Sequence, residues 1–191
     1  MRGCGRAWSH RRSTSDVTVT AMRITGRARK FGDDINTDSI ISSLRKKETL
    51  EPHELKNFLF EAIDPTFAGS VQPDDLVVAG KNFGCGSAME VAVTVMLASG
   101  IQAVLAKSFA RTYYRNAINN GLVPIECDTW NIREGDRITV VIDGEGGGVA
   151  VRNEDTDTTS VGHALVGVPM DILTAGGIVP YMREHGGFGP S

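Results

Sequence analysis

The chain has 191 residues, of which 41% are hydrophobic and 23% charged, with a formal net charge of -3; these values suit a single soluble globular domain. The slightly acidic balance argues against nucleic acid as a partner, since nucleic-acid-binding surfaces carry an excess of Lys and Arg. No apolar run approaches the ~20 residues of a membrane-spanning helix, and the three cysteines lack CxxC spacing. We therefore expect a cytoplasmic protein with free thiols and no membrane or nucleic-acid partner.

The N-terminal segment differs in composition from the rest of the chain. Residues 1–21 are rich in Arg, Ser and Thr, contain one acidic residue and show no apolar periodicity. We predict a disordered extension over residues 1–21 and one folded domain over residues 22–187. The Arg and Ser bias also fits a transit-type leader, which is the alternative.

The first part of the predicted domain reads as a strand, a polar segment and a helix. Residues 22–31 alternate as a strand does, and the turn-forming sequence GDDINTD follows. Residues 39–50 form a polar, basic loop. Residues 51–63 are predicted to be a helix, because Pro52 lies near the start and apolar residues recur on one face.

From residue 76 onward, strand-like and helix-like segments alternate with short connections. The predicted strands are 76–80, 103–109 and 122–126, and the predicted helices are 87–100 and 111–121. This order is the βαβ pattern of a parallel sheet. Residues 137–143 and 149–152 then predict an antiparallel hairpin, and 170–186 a final helix interrupted by two glycines. The fold class is therefore α/β, with a mainly parallel sheet and an antiparallel hairpin.

The stretch 79-AGKNFGCGSAMEV-91 contains the strongest local signal for chemistry. Gly84 and Gly86 flank Cys85 directly before Ser87, and glycines allow the backbone to approach a ligand and expose its N–H groups. The start of a helix adds a partial positive charge, which favours an anion. However, Ser87 and Glu90 also have the S-x-x-E spacing of a capping box, which would make the serine structural. Spacing alone leaves both an anion site and a plain turn open.

Four segments of the sequence resemble one known family. They are GDDINTDSII (32–41), GKNFGCGS (80–87), AKSFARTYYRNAINNGL (106–122) and ILTAGGIVPYM (172–182). In this order and spacing they resemble the small subunits of the 3-isopropylmalate dehydratases, within the aconitase family, over about residues 22–183. The resemblance implies a swivelling β/β/α domain that closes over an iron–sulfur cluster held by a separate large subunit.

The same resemblance implies a function and a set of partners. Members of this family are hydro-lyases that dehydrate, hydrate or isomerise small hydroxy-carboxylic acids such as 3-isopropylmalate, which suggests a place in leucine biosynthesis. The implied assembly is a heterodimer or heterotetramer with an iron–sulfur large subunit. This chain is then expected to bind no cofactor or metal itself, because the [4Fe-4S] cluster belongs to the large subunit.

The resemblance also implies roles for residues at matching positions. Ser87 matches the serine that takes a proton from the carbon next to a carboxylate, and the amides around it would form an oxyanion hole. Thr37 and Asp38 match the T-D segment that supports active-site groups. The substrate-binding residues expected from these matches are Gly84, Cys85, Gly86, Thr37 and Asp38.

The sequence departs from the family pattern directly after the candidate catalytic residue. The family run G-S-S-R-E-H is here Gly86-Ser87-Ala88-Met89-Glu90-Val91. The family arginine holds a substrate carboxylate, which Met89 cannot do. Three explanations stay open: a substrate with one carboxylate fewer or an apolar group, a substitute cation from Arg45, Lys46 or Lys47, or a domain that has lost catalysis.

Two further cations are candidates for contact with an anionic substrate. Lys107 and Arg111 lie at the predicted strand-to-helix turn AKSFAR, where a positive charge opposes the helix dipole. We therefore predict that both residues, with Arg45, contribute to substrate binding. The alternative functions are a non-catalytic or regulatory paralogue, a dehydratase for a related 2-hydroxy acid, and a stand-alone anion-binding module.

Overall fold

The computed structural model describes residues 21–143 and 146–186. Apart from Ala21, the predicted N-terminal extension lies outside these residues, and so does the predicted domain end at residue 187. Within the described residues, seven strands form one sheet in the order β4-β3-β2-β1-β5-β6-β7. The strands are β1 (Met22–Lys30), β2 (Leu76–Val78), β3 (Ala103–Ala106), β4 (Val123–Glu126), β5 (Arg137–Ile142), β6 (Val149–Asn153) and β7 (Thr158–Gly162).

The half of the sheet from β1 to β4 is parallel, as predicted. The short runs LVV and AVLA are buried at every position, which is the pattern of strands covered on both faces. Helix α5 (Val91–Ala98) connects β2 to β3, and helix α6 (Arg111–Asn120) connects β3 to β4. Helix α6 stops at Gly121, whose φ of 84° gives the left-handed cap that favours glycine. These elements confirm the α/β fold class.

The other half of the sheet is antiparallel and larger than the predicted hairpin. Strand β1 pairs antiparallel with β5, and β7 adds a further strand beyond β6. The sequence gives little sign of β7, because TTSVG is polar and mostly exposed. The sheet also curls until its two edges meet: Cys127 forms a bridge with Gly162, and the N–H of His163 donates to the carbonyl of Glu126 at 2.8 Å.

The two faces of the sheet pack against separate hydrophobic clusters. Val77 and Val104 point to the cluster that contains α5, whereas Val78 and Leu105 point to the cluster formed with β5, β6 and the C-terminal helices. Those helices are α7 (Val168–Thr174) and α8 (Ile178–His185). Gly176 and Gly177 separate them with φ values of 84° and 124°, which confirms the predicted interruption.

The connection from β1 to β2 is irregular, and here two predictions are wrong. The predicted helix over 51–63 ends early and gives way to a 3₁₀ turn, because Phe60 turns back (φ 58°) and stacks on Phe31 with ring centroids 4.2 Å apart. The predicted loop over 39–50 contains helical turns. The short elements are α1 (Thr37–Ile40), α2 (Arg45–Glu48), α3 (Pro52–Leu55), the 3₁₀ turn (Lys56–Phe58) and α4 (Phe67–Ser70).

A helix that crosses a bilayer needs about 20 predominantly apolar residues. None of the helices within residues 21–143 and 146–186 combines the length and apolar character that crossing a membrane requires.

Candidate active site

Three loops lie side by side at the carboxyl edge of the parallel strands. The segment after β2 (residues 80–90) is called the Ser87 loop below. The segment after β1 runs beside it. The N–H of Gly80 donates to the carbonyl of Gly32 at 3.0 Å, and the N–H of Gly84 donates to the carbonyl of Ile35 at 2.7 Å. Ligands of open α/β sheets bind at this edge. The sheet topology therefore places the candidate residues where a site is expected.

The loop after β3 lies on the other side of the Ser87 loop. The N–H of Phe83 donates to the carbonyl of Ser108 at 3.0 Å, and the N–H of Ala110 donates to the carbonyl of Phe83 at 2.9 Å. Phe83 and Phe109 form a parallel bridge. The Ser87 loop is thus held on both sides by backbone hydrogen bonds.

Thr37 fixes the end of the Ser87 loop. Its N–H donates to the carbonyl of Cys85 at 2.8 Å, and its hydroxyl donates to the carbonyl of Ser87 at 3.0 Å. The side chain of Thr37 is buried, with 1% of the residue exposed. This geometry gives Thr37 a positioning role, because its hydroxyl is occupied by the protein.

The two glycines of the loop are required by close packing. Gly84 has a φ of 76°, and a Cβ there would lie 2.1 Å from Cγ of Tyr113. Gly86 has a φ of 92°, and a Cβ there would lie 2.8 Å from Oδ1 of Asn36. The side chain of Asn36 also accepts a hydrogen bond from the N–H of Asp38 at 2.7 Å, so that it caps α1. Sequence reasoning missed Asn36, although Asn directly before T-D is a recognisable cap signal.

The capping box that the S-x-x-E spacing offered as the alternative for Ser87 does not form, and the predicted start of the helix at residue 87 is wrong. Helix α5 begins at Val91, and its cap residue, Glu90, makes no side-chain capping bond. The left-handed conformation of Gly86 and the burial of Met89 hold residues 87–90 in a non-helical turn. Ser87 is therefore free of the structural role that its spacing suggested.

The surroundings of Ser87 leave hydrogen-bonding groups available to a ligand. Ser87 is exposed, and its hydroxyl makes no hydrogen bond to any residue that the structure describes. The N–H groups of residues 86–90 also donate to no described residue. An exposed hydroxyl among unpartnered N–H groups is a suitable environment for an oxyanion.

Met89 does not face the site. Only 6% of the residue is exposed, and its side chain belongs to the hydrophobic cluster that contains α5. Met89 therefore anchors the Ser87 loop to the core. At the position where the resemblance leads us to expect an arginine, the chain thus has a packing residue, which offers little apolar surface to a substrate.

Asp38 and Arg45 are both engaged within the protein. Asp38 accepts hydrogen bonds from the N–H of Ser43, at 3.2 Å, and from the hydroxyl of Ser43. Arg45 forms a two-point contact with the carboxylate of Glu61, with N···O distances of 2.9 and 3.1 Å, and its guanidinium lies 3.9 Å from the ring centre of Phe58. The side chain of Asp38 is thus bonded to Ser43, and that of Arg45 to Glu61.

Lys107 and Arg111 lie at opposite ends of the third loop. The N–H of Lys107 donates to the carbonyl of Gly80, which lies seven residues before Ser87 in the sequence. The amino group of Lys107 lies 5.2 Å from the ring centre of Trp130. Arg111 is exposed at the start of α6. Of the predicted residues, the structure brings together Thr37 and residues 84–87, and it places Lys107 beside Gly80 at the start of the Ser87 loop.

Cys85 and Cys127, which lie within the described residues, do not form a metal site. Cys85 is half-buried in the Ser87 loop, and burial raises the pKa of the Cys127 thiol to about 12, with a smaller contribution from Asp128. Among residues 21–143 and 146–186, no group of three or more His, Cys, Asp or Glu side chains could hold a metal ion. The described residues therefore do not fit an iron–sulfur cluster.

Comparison with known proteins gives consistent matches over most of the chain. Residues 25–129 match the family model of the aconitase C-terminal domain. The chain is 44% identical over 164 residues to the methanogen homoaconitase small subunit of Methanocaldococcus jannaschii, which covers 86% of this chain and 94% of that protein. It is 44% identical over 166 residues to the 3-isopropylmalate dehydratase small subunit of Heliobacterium modesticaldum, a match that covers 86% of this chain and 97% of that protein. The crystal structure of a 3-isopropylmalate dehydratase from M. jannaschii matches with a TM-score of 0.80 at 42% identity. The match covers 86% of this chain and 96% of that chain.

Proposed function

The chain belongs to the aconitase C-terminal domain family, and from this premise we propose that it is the small subunit of a hydro-lyase that acts on a small hydroxy-carboxylic acid. Relatives that it matches over nearly their full length are named as small subunits of homoaconitase and of 3-isopropylmalate dehydratase. The observation that carries the proposal is the exposed hydroxyl of Ser87, which no described residue engages.

In the proposed reaction, Ser87 acts as the general base. Its oxygen takes a proton from the carbon next to the substrate carboxylate, a carbon–carbon double bond forms, and the hydroxyl group on the neighbouring carbon leaves as hydroxide. The abstracted proton and this hydroxide together make up the water that is released. When water adds back with its hydroxyl group on the other carbon of the double bond, the hydroxy acid is isomerised. A serine can act in this way only if its deprotonated form is stabilised, and preorganised N–H donors provide that stabilisation.

The N–H groups of the Ser87 loop support this assignment. The N–H groups of residues 86–90 are unpartnered within the described chain, and Thr37 holds the carbonyl of Ser87 in place. Gly84 and Gly86 allow the loop to pack closely against Tyr113 and Asn36. We propose that the loop binds the substrate carboxylate through these N–H groups, because Met89 has removed the family's arginine from this surface.

We further propose that the enzyme is a heterodimer or heterotetramer with an iron–sulfur large subunit. The relatives are named as small subunits, and the described residues of this chain do not fit a cluster. In this assignment, the large subunit supplies the cluster and covers the Ser87 loop. The substrate is a small hydroxy-carboxylic acid such as 3-isopropylmalate, and the complex works in the cytoplasm.

The proposal is tested by producing the chain with and without its cognate large subunit under anaerobic conditions. Each preparation is assayed on a panel of 2- and 3-hydroxy acids and the corresponding alkenes. We expect turnover only from the iron-loaded pair. Turnover by the isolated chain, or by the pair without iron, would contradict the assignment.

A second candidate function is a non-catalytic or regulatory paralogue. It is favoured by one observation, namely that Ala88, Met89 and Val91 replace polar residues of the family run. The same experiment separates the two: a complex that assembles and carries its cluster but turns over no acid of the panel supports the paralogue.

A further inference from the structure

The first turns of α6 carry two positive charges in an unfavourable arrangement. Arg111 and Arg115 are four residues apart on one helix face, where like charges destabilise a helix. Arg111 also lies at its N-terminal end, where the helix dipole disfavours cations. Both are exposed, and neither forms an ion pair within the part of the chain that the structure describes.

The two arginines line an open cleft, which we call the arginine cleft. Its volume is about 500 Å³. It is lined by Phe109, Arg111, Tyr114, Arg115 and Glu126.

The acid and the aromatic residues of the arginine cleft have defined partners. Glu126 accepts hydrogen bonds from the N–H of Phe109, at 3.3 Å, and from Nδ1 of His163, at 2.9 Å when that nitrogen carries the proton. The rings of Phe109 and Tyr114 pack edge to face with centroids 5.8 Å apart. The arginines are therefore left to bind negative groups from outside, above an aromatic surface.

The position of the arginine cleft relates it to the candidate active site. Phe109, which lines the cleft, is bridged to Phe83 of the Ser87 loop. Arg111 lies two residues after Phe109, and Cys85 lies two residues after Phe83. The cleft thus begins directly beside the Ser87 loop. A partner that covers Ser87 with a standard interface of about 800 Å² and roughly 20–30 residues reaches this surface.

We propose that the arginine cleft is a docking site for carboxylate side chains of the large subunit, which pair with Arg111 and Arg115. This inference rests on the proposed function, since it presumes a large subunit over the Ser87 loop. Arginine forms two-point contacts with carboxylates and is enriched among the residues that dominate interface energies. The half-buried aromatic rings provide the apolar surface that shields such pairs from water.

The test measures assembly directly. The cognate large subunit is titrated with the wild-type chain and with the double variant Arg111→Gln/Arg115→Gln, and Kd is measured by calorimetry. Gln retains the helix propensity of Arg, and circular dichroism checks the fold. The control is Arg23→Gln/Arg183→Gln, which removes two exposed charges from the start of β1 and from α8.

We expect the arginine-cleft variant to raise Kd roughly a hundredfold, about tenfold for each arginine, and the control to change it less than about twofold. The difference should shrink as salt rises from about 50 to about 300 mM, because screening weakens exposed ion pairs. Equal Kd values for variant and wild type overturn the inference while leaving the proposed function intact. An unchanged Kd with a raised KM overturns it in favour of a substrate subsite. Failure of the wild-type chain to assemble overturns both proposals.

Discussion

The hydroxyl of Thr37 donates a hydrogen bond to the main-chain carbonyl of Ser87 at 3.0 Å, although the two residues are 50 positions apart in the sequence. The N–H of the same threonine donates to the carbonyl of Cys85 at 2.8 Å. One residue therefore ties down the chain on both sides of Gly86. The position of the proposed catalytic hydroxyl depends on a buried residue of another loop.

Replacing Thr37 by Val keeps the shape of the side chain and removes the bond to Ser87. We expect a stability loss of about 1 kcal/mol and a fall in kcat of roughly tenfold to a hundredfold, because small displacements of a reacting group are costly. Thr37→Ser should restore most of kcat, since the hydroxyl is retained. A Thr37→Val enzyme with normal kcat and a raised KM would instead indicate direct substrate contact.

Replacing Ser87 by Ala tests the general base. We expect turnover by the assembled enzyme to fall by roughly 10²–10⁴, the usual contribution of a positioned proton acceptor. The free energy of unfolding should change by less than about 0.5 kcal/mol, because the side chain caps no helix and is exposed. Ser160→Ala in β7 serves as the control for both measurements. A variant that retains the wild-type rate would remove Ser87 from the mechanism.

Much of the parallel half of the fold could be predicted from the sequence, and the reasons are local. Buried runs such as LVV, and the glycine that ends α6, specify their elements without distant partners. Strand β7 could not be predicted, because its pairing with β6 depends on backbone hydrogen bonds and its side chains are polar and mostly exposed. The early end of the predicted helix over 51–63 depends on Phe60 packing against Phe31, which is a tertiary contact.

The candidate site divides in the same way. The G-C-G-S motif indicated the Ser87 loop as the candidate site, which stays a prediction, and its S-x-x-E spacing left open a cap that the fold does not form. The S-x-x-E pattern describes only local bonding, whereas the turn is set by Thr37 and by the burial of Met89. The pairing of Arg45 with Glu61 likewise could not be predicted from the sequence, because the folded connection between β1 and β2 brings the two residues together.

Replacing Gly84 by Ala should destabilise the protein. The positive φ of 76° and the approach of a Cβ to 2.1 Å from the Tyr113 ring together predict a loss of roughly 2–5 kcal/mol. Gly69→Ala is the matched control, because a Cβ there meets no atom within 4 Å and the residue is helical. We expect the control to be neutral or to stabilise by about 0.4–1 kcal/mol. Urea unfolding of both variants measures the difference, and equal midpoints would refute the packing argument.

The lowered pKa of Asp75 should make the stability of the folded protein depend on pH. Only 3% of the residue is exposed, and burial by itself would raise its pKa, but hydrogen bonds from Arg27, from the N–H of Gln72 and from Arg29 outweigh burial and lower the pKa. The folded pKa therefore lies below the unfolded value of about 3.9. The stability that Asp75 contributes is fully present above about pH 4 and is lost as the pH falls through the folded pKa.

Asp75→Asn should accordingly cost about 3–5 kcal/mol at pH 7, since Arg29 is left buried without this partner. The difference from wild type in urea unfolding should shrink as the pH falls below about 4. Asp74→Asn is the control, because Asp74 is exposed and Asn tolerates its φ of 71°. A difference that is constant from neutral to acidic pH would show that the charge of Asp75 is unimportant.

Substitutions at Met89 test whether this residue anchors the Ser87 loop or lies against the substrate. Because only 6% of it is exposed, Met89→Leu should cost less than about 1.5 kcal/mol and Met89→Ala about 2–5 kcal/mol. Met89→Arg should destabilise the protein at least as strongly as Met89→Ala, since it directs an unpaired charge into the core. It should not extend the substrate range of the complex to acids with an additional carboxylate. A stable Met89→Arg variant that gains such substrates would show that position 89 reaches the site, and that the core tolerates its loss.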